Sequence, residues 1–183
     1  MEIIKTDIEG VLILKPHIFG DARGYFYESY NKKLLSDLAP EIPEFVQDNQ
    51  SYSTYGVVRG LHFQKAPYAQ AKLVRVVSGK VLDVAVDLRA GSPTFGKHVS
   101  VELSGEDHLQ FFIPEGFAHG FSILSHEVVF QYKCSRFYNK ESEGGIIFND
   151  PDLGIDWGIP QKDMILSPKD KVHPTFAQYI KSL

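Results

Sequence analysis

Apolar residues recur along this chain mostly at every second position, in short runs bounded by turn-forming residues rather than in long helical stretches. Such runs predict strands at 11–14, 24–30, 45–52, 57–64, 72–77, 81–88, 98–103, 109–113, 117–124 and 128–136. Ser78-Gly79, Ser92-Pro93 and Ser104-Gly105 separate several of them and favour tight turns. One helix is expected at residues 32–38, with Asn31 as its N-cap and Pro40 just past its end. Many short strands with little helix between them predict an all-β sandwich or barrel, not a parallel α/β sheet.

The alternation also sorts side chains by face. In the run after Gly79, Leu82, Val84, Val86 and Leu88 share one face, and Val81, Asp83, Ala85 and Asp87 share the other. The second face mixes carboxylates with apolar groups; alternation alone favours a solvent-facing edge, with a ligand cavity as the other reading. In the last long run Val128, Phe130, Tyr132 and Cys134 face inward together.

A regular strand over 57–64 would send Arg59 and His62 to opposite faces, although a guanidinium and an imidazole side by side would make an anion clamp next to a base. Gly60 lies between them, and a glycine inside a strand often marks a bulge. A bulge or sharp bend near Gly60 is therefore predicted.

Composition narrows the chemistry. The 183 residues suffice for one well-buried core, and no linker-like stretch divides them, so a single domain over 1–183 is expected. A formal net charge of −4 argues against nucleic acid as a partner. No apolar run approaches the ~20 residues of a membrane span, and the start does not read as a signal peptide, so no membrane association and a cytoplasmic location are expected. Cys134 is the only cysteine, which excludes an intramolecular disulfide and a multi-cysteine zinc site.

The segment Pro114-x-Gly116-x-x-His119 resembles the second motif of the cupin superfamily, small jelly-roll barrels in which that histidine often binds a metal. The first motif would bring His-x-His and a later Glu. Here His62 is followed by Phe63 and Gln64, and positions 68 and 69 are Tyr and Ala. The resemblance implies a cupin-type double-stranded β-helix with a few short peripheral helices, without the usual metal ligands.

A narrower resemblance spans almost the whole chain. Phe19-Gly20-Asp21-x-Arg23-Gly24, Phe45 to Asn49, Arg59 to Gln64, Lys72 to Arg75, Asp83 to Arg89, Ser92-Pro93-Thr94, residues 113–121, Tyr132-Lys133, Glu143-Gly144 and Ser167-x-Lys169-Asp170 follow the order seen in dTDP-4-dehydrorhamnose 3,5-epimerases. Members of that family invert C3 and C5 of a 4-keto-6-deoxy sugar carried on a nucleoside diphosphate, on the way to dTDP-L-rhamnose. The resemblance implies His62 as base, Asp170 as its orienting partner, Lys72 as stabiliser of the enolate and Tyr132 as proton donor from the opposite face. It implies no metal and no cofactor. Arg23, Arg59 and His119 would hold the diphosphate and sugar; Phe26, Glu28, Gln47, Asn49 and Tyr138 would lie near the nucleoside, and Glu143 and Lys169 would add further contacts. A homodimer is implied too, its sites completed by the partner's N-terminal strands. Taken singly, each residue has an ordinary structural reading: a core histidine, a snorkelling lysine, a turn aspartate. Three functions stay open: the double epimerase, a related enzyme acting at one centre or through a metal, and a jelly-roll module that only binds sugar nucleotides.

Overall fold

The computed structural model describes all 183 residues. Two small strand pairs come first, β1 (Glu2–Lys5) with β2 (Leu12–Lys15), and β3 (Phe19–Asp21) with β4 (Gly24–Phe26). Helix α1 (Lys32–Leu38) leads into β5 (Gln47–Thr54), β6 (Val58–Gln64), β7 (Lys72–Ser78) and β8 (Lys80–Asp87). After them come β9 (His98–Ser104), β10 (Gln110–Ile113), β11 (Phe117–Ile123) and β12 (Glu127–Cys134). The short β13 (Glu143–Gly145) and the one-turn helix α2 (Phe176–Ile180) finish the chain.

The strands form two antiparallel sheets, one in the order β1-β2-β10-β7-β12-β5 and one in the order β13-β6-β11-β8-β9. Their inner faces meet over Val74, Val76, Phe111, Val128 and Phe130 from the first sheet and Val81, Ala85, Leu103, Phe121 and Ile123 from the second. These residues alternate along their strands, as a sheet with one face on a shared core requires. The all-β jelly-roll expectation holds.

Both outer faces are partly covered. α1 packs Leu35 and Ala39 against Leu12, Leu14, Leu73 and Phe112 of the six-stranded sheet. Asn31 caps it as expected, its side chain accepting from the Leu34 N–H at 3.0 Å. On the other side Ile146, Phe148, Trp157, Ile159 and Phe176 cover Val84, Val86 and Leu88. Fully burying apolar side chains of this size contributes about 1.5–3 kcal/mol each, so the irregular C-terminal segment is part of the fold's stability.

That cover overturns one expectation. Asp83 and Asp87 do not lie on a solvent-facing edge; both are fully buried, on the inner face of β8. Alternation separated the two faces of β8 correctly, but the apolar face is closed by the C-terminal segment, Asp83 points between the sheets to His119, and Asp87 is held by Arg89, Ser92 and Thr94 of the following turn. The 24–30 run also stops early, at Phe26, and β1, β3 and β13 have no signal in the apolar pattern.

β3 and β4 pair only with each other and belong to neither large sheet. They carry exposed Phe19, Tyr25 and Phe26. No helix is long and apolar enough to cross a membrane.

Candidate active site

β6 contains the predicted bulge. Its ladder with β11 pairs His62 with His119 and Arg59 with Phe121, three steps (62 to 59) on β6 against two (119 to 121) on β11. Gly60 makes this possible at φ +128°, where a Cβ would stand 2.5 Å from Gly120 Cα and 2.8 Å from the His119 carbonyl. The extra residue brings the side chains of Arg59 and His62 to one cavity of about 230 Å³.

His62 is held from far along the chain. Its Nε2 lies 2.6 Å from Asp170 Oδ1. The turn Ser167-Pro168-Lys169-Asp170 is fixed by the Asp170 N–H, which donates to Ser167 Oγ at 3.1 Å. Burial pushes the Asp170 carboxyl up, yet the hydrogen bond and charge of His62, aided by Ser167 and His173, outweigh it and hold the group below its ordinary pKa. Asp170 is thus an anion that can only accept. The proton of a neutral His62 sits on Nε2, and the lone pair is left on Nδ1.

Lys72 comes from the opposite sheet, on β7. Its Nζ is 3.5 Å from His119 Nδ1, and His119 Nε2 lies 2.9 and 3.1 Å from the two oxygens of Asp83. With Nε2–H donating to the carboxylate, Nδ1 accepts from the ammonium, and Lys72, His119 and Asp83 form a relay. Burial pushes Lys72 down, against the pull of Cys134 and Asp83. It also pushes His119 down and Asp83 up, each opposed by the other. The rings of Phe121 and Phe130 stack at 4.1 Å beside His119 and form an apolar floor.

Tyr132 stands on β12, next to β7, with the Lys72 Nζ 6.0 Å from its ring centre. Burial, and then Cys134, raise its pKa against the opposing charge of Arg59, so the phenol keeps its proton. Arg59 donates from Nε and Nη2 to Ser53 Oγ, both at 3.1 Å, and so reaches from β6 to β5 across the gap between the sheets. His62 and His119 therefore line the cavity from the five-stranded sheet, and Lys72 and Tyr132 line it from the six-stranded one.

A second cavity of about 330 Å³ shares His62, Lys72 and Tyr132 and extends to Gln47, Asn49, Tyr138 and Glu143. Gln47 Oε1 accepts from the Tyr138 N–H at 3.2 Å, and Gln47 Nε2 donates to Asn49 Oδ1 at 3.0 Å. The Tyr138 hydroxyl donates to Glu143 at 3.2 Å, and Lys169, which lines the first cavity, pairs with the same carboxylate. Polar groups on an aromatic rim suit a ligand with a ring and several acceptors.

Three expected binding residues lie elsewhere. Arg23 is ion-paired with Asp21, its side chain 90% exposed, and Phe26 is 66% exposed on the same hairpin. Glu28 accepts from Asn31 at 3.0 Å. None of the three lines either cavity of its own chain. All three lie on or just after the β3–β4 hairpin, which stands apart from the sheets that build the cavities.

Asp83 and Ser167 are parts of the site to which sequence reasoning assigned no role. The mixed face Val81-x-Asp83-x-Ala85 carried the signal for Asp83. For Ser167 the signal was its place in the Ser167-x-Lys169-Asp170 segment, three residues before Asp170.

A family model described as dTDP-4-dehydrorhamnose 3,5-epimerase matches residues 5–178. A dTDP-4-dehydrorhamnose 3,5-epimerase of Shigella flexneri is 55% identical over 170 residues, covering 93% of both chains. Among solved structures, that of the dTDP-4-dehydrorhamnose 3,5-epimerase of Elizabethkingia anophelis superposes with a TM-score of 0.94 at 57% identity, over 97% of both chains. A Legionella pneumophila epimerase, solved in complex with dTDP-4-keto-L-rhamnose, gives a TM-score of 0.91 at 50% identity, over 95% of this chain and 92% of that one.

Proposed function

This chain belongs to the dTDP-4-dehydrorhamnose 3,5-epimerase family, and from that premise we propose how its own residues carry out the reaction. It is an isomerase that takes dTDP-4-dehydro-6-deoxy-D-glucose to dTDP-4-dehydro-L-rhamnose by inverting C3 and C5, a step of dTDP-L-rhamnose formation.

Both centres lie next to the C4 carbonyl, so each inversion is removal of a proton to give an enolate, then return of a proton to the other face. Carbon acids of this kind are far weaker than an imidazolium, whose ordinary pKa is about 6.5, and each unit of mismatch costs about 1.4 kcal/mol. A lone histidine is therefore too slow. A positioned base contributes roughly 10²–10⁴ in rate, and one donor to the developing oxyanion about 3–4 kcal/mol.

His62 Nδ1 takes the proton while Asp170 steadies the imidazolium through Nε2. Lys72, aimed by His119 and Asp83, meets the negative charge that gathers on the C4 oxygen. Tyr132 returns a proton from the other wall. The observation that carries this assignment is the placement of His62 and Tyr132 on different sheets, across one cavity that also holds Lys72. A binding module has no use for a base and an acid on opposite walls. The chemistry is redox-neutral proton transfer and calls for no cofactor.

Arg59 and His119 lie where the sugar and diphosphate would sit, and Gln47, Asn49, Tyr138, Glu143 and Lys169 where the nucleoside end would extend. Arginine suits the diphosphate because its planar fork matches two oxygens at once. Arg23, Phe26 and Glu28 complete the site from a second copy. The detached β3–β4 hairpin with its exposed aromatics supports a homodimer in which it reaches the partner's cavity. Residues 1–183 act as one domain, since strands and cover from both ends build the same two layers. The single free thiol, Cys134, suits the reducing cytoplasm.

Incubating the purified chain with dTDP-4-dehydro-6-deoxy-D-glucose and reading the product by NMR tests the activity. Sugar with both centres inverted is the expected product; unchanged substrate contradicts it. Mixing Arg23→Ala with His62→Ala chains tests the shared site. Subunit exchange restores about a quarter of wild-type turnover if Arg23 serves the partner, and no recovery contradicts that.

A further inference from the structure

His173 is a buried group that takes no proton and touches no substrate in this chemistry; its one part there is a minor electrostatic pull on Asp170. Its side chain is nine-tenths buried, and its Nε2 has no hydrogen-bond partner. An orphaned buried polar atom costs about 1–3 kcal/mol, so its position calls for a partner. Nε2 lies 3.5 Å from Asp170 Oδ1, the same oxygen that holds His62. One ligand-type atom from each of His62, Asp170 and His173 falls within 4.8 Å of the other two.

The fold makes room for the ring. Gly145 pairs with His62 in the β13–β6 ladder, and a Cβ there would stand 2.4 Å from His173 Cε1 and 2.6 Å from its Nε2. The imidazole lies against bare backbone, with the His62 ring edge-on at 5.5 Å.

We propose that His62, Asp170 and His173 form a binding site for a divalent transition metal of the zinc type, and that filling it switches off the base. Two imidazoles and a carboxylate are a donor set that Zn²⁺ takes readily, with a fourth position left for water. Ligands about 2.0–2.2 Å from a tetrahedral ion stand about 3.3 Å from one another. Asp170 and His173 are already near that spacing. His62 moves back from Oδ1 as the ion replaces the proton between them.

Coordination uses the Nε2 lone pair of His62, so the ring proton shifts to Nδ1. That is the nitrogen that would otherwise receive the proton from C3 or C5. No proton is gained or lost by the ring, yet its basic site is gone. The Asp83–His119 pair offers no equivalent site, because the Lys72 ammonium beside His119 Nδ1 repels a cation. The switch-off rests on His62 being the base; the binding does not.

The test titrates Zn²⁺ into the full chain against a chromophoric chelator, uses Co²⁺ as a spectroscopic probe, and measures turnover with Zn²⁺ and after EDTA. The expected result is a single ion per chain, visible Co²⁺ bands, and turnover that falls with Zn²⁺ and returns with EDTA. His173→Ala should bind Zn²⁺ at least tenfold more weakly and need correspondingly more Zn²⁺ for the same fall in turnover relative to its own metal-free value, since even partners one step removed from a metal are worth about 10–100-fold in affinity. His173→Gln, which keeps a polar group in the slot, serves if the alanine variant does not fold. Equal affinity in the variants, or no bound ion in the wild type, overturns the site. Binding that depends on His173 but leaves turnover intact supports the site and overturns the switch-off.

Discussion

His62 Nε2 and Asp170 Oδ1 meet at 2.6 Å across 108 positions of sequence, joining a bulged strand to a C-terminal turn. The bond fixes the tautomer of His62 and places an anion behind its imidazolium. Asp170→Asn keeps an acceptor but removes the charge, and is expected to lower kcat by on the order of 10²–10⁴ with a smaller change in KM. His62→Ala should lose turnover while still binding the nucleotide. Steady-state kinetics together with dTDP titration check both.

Tyr132 is expected to govern proton return, not proton removal. In Tyr132→Phe, His62 still abstracts and can give the proton back to the face it came from. Solvent hydrogen should therefore continue to enter the substrate while inverted product falls by about 10²-fold or more. NMR separates the two. Equal loss of exchange and inversion would assign Tyr132 to the first step.

The alkaline limb of the pH profile is expected to belong to Lys72. Burial lowers its pKa, whereas burial raises that of Tyr132, so the two groups shift in opposite directions and the limb is assigned to the lysine. The limb should fall below the ordinary lysine value of about 10.4 and be retained in the residual activity of Tyr132→Phe. Lys72→Met should cost on the order of 10²–10³ in kcat. For stability the sign is opposite. A lysine whose folded pKa is depressed penalises the fold while charged, and the penalty is relieved as pH rises through the folded value. The methionine variant should therefore melt no lower than wild type at neutral pH.

Gly60 is expected to tolerate no side chain. At φ +128°, with Gly120 Cα 2.5 Å from where a methyl group would stand, Gly60→Ala must move β6 or β11. A cost of about 2–4 kcal/mol lowers the melting temperature of a chain this size by roughly 5–10 °C. Activity should fall further than stability, because the bulge brings Arg59 and His62 together. Calorimetry and kinetics on the same sample check this.

The bulge shows how much of the site was legible in the chain. Two residues with matching chemistry on opposite faces of a strand, with a glycine between them, required a break in alternation, and the ladder has one. The inward turn of Tyr132 and the cap on α1 were likewise local and readable. Asp83 was not, because whether a mixed face meets solvent or the core depends on what covers the sheet. The face of β8 that carries Asp83 is covered by the six-stranded sheet, while residues 146–180, whose contacts follow no short period, cover its other face. His173 was hidden for the same reason, since its neighbours Gly145 and His62 are brought to it only by the ladder of β13 and β6. Arg23, Phe26 and Glu28 could be placed near a substrate by resemblance alone, because no apolar period marks the small β3–β4 hairpin or its detachment from the two sheets.

Double inversion requires proton exchange at two carbons from two walls of one cavity. Conversion of dTDP-4-dehydro-6-deoxy-D-glucose in D₂O, with deuterium located by NMR, tests that most directly. Deuterium at both C3 and C5 of the inverted sugar, and none with His62→Ala, is the predicted result. Label at a single carbon would contradict the double inversion, and label persisting without His62 would contradict the base.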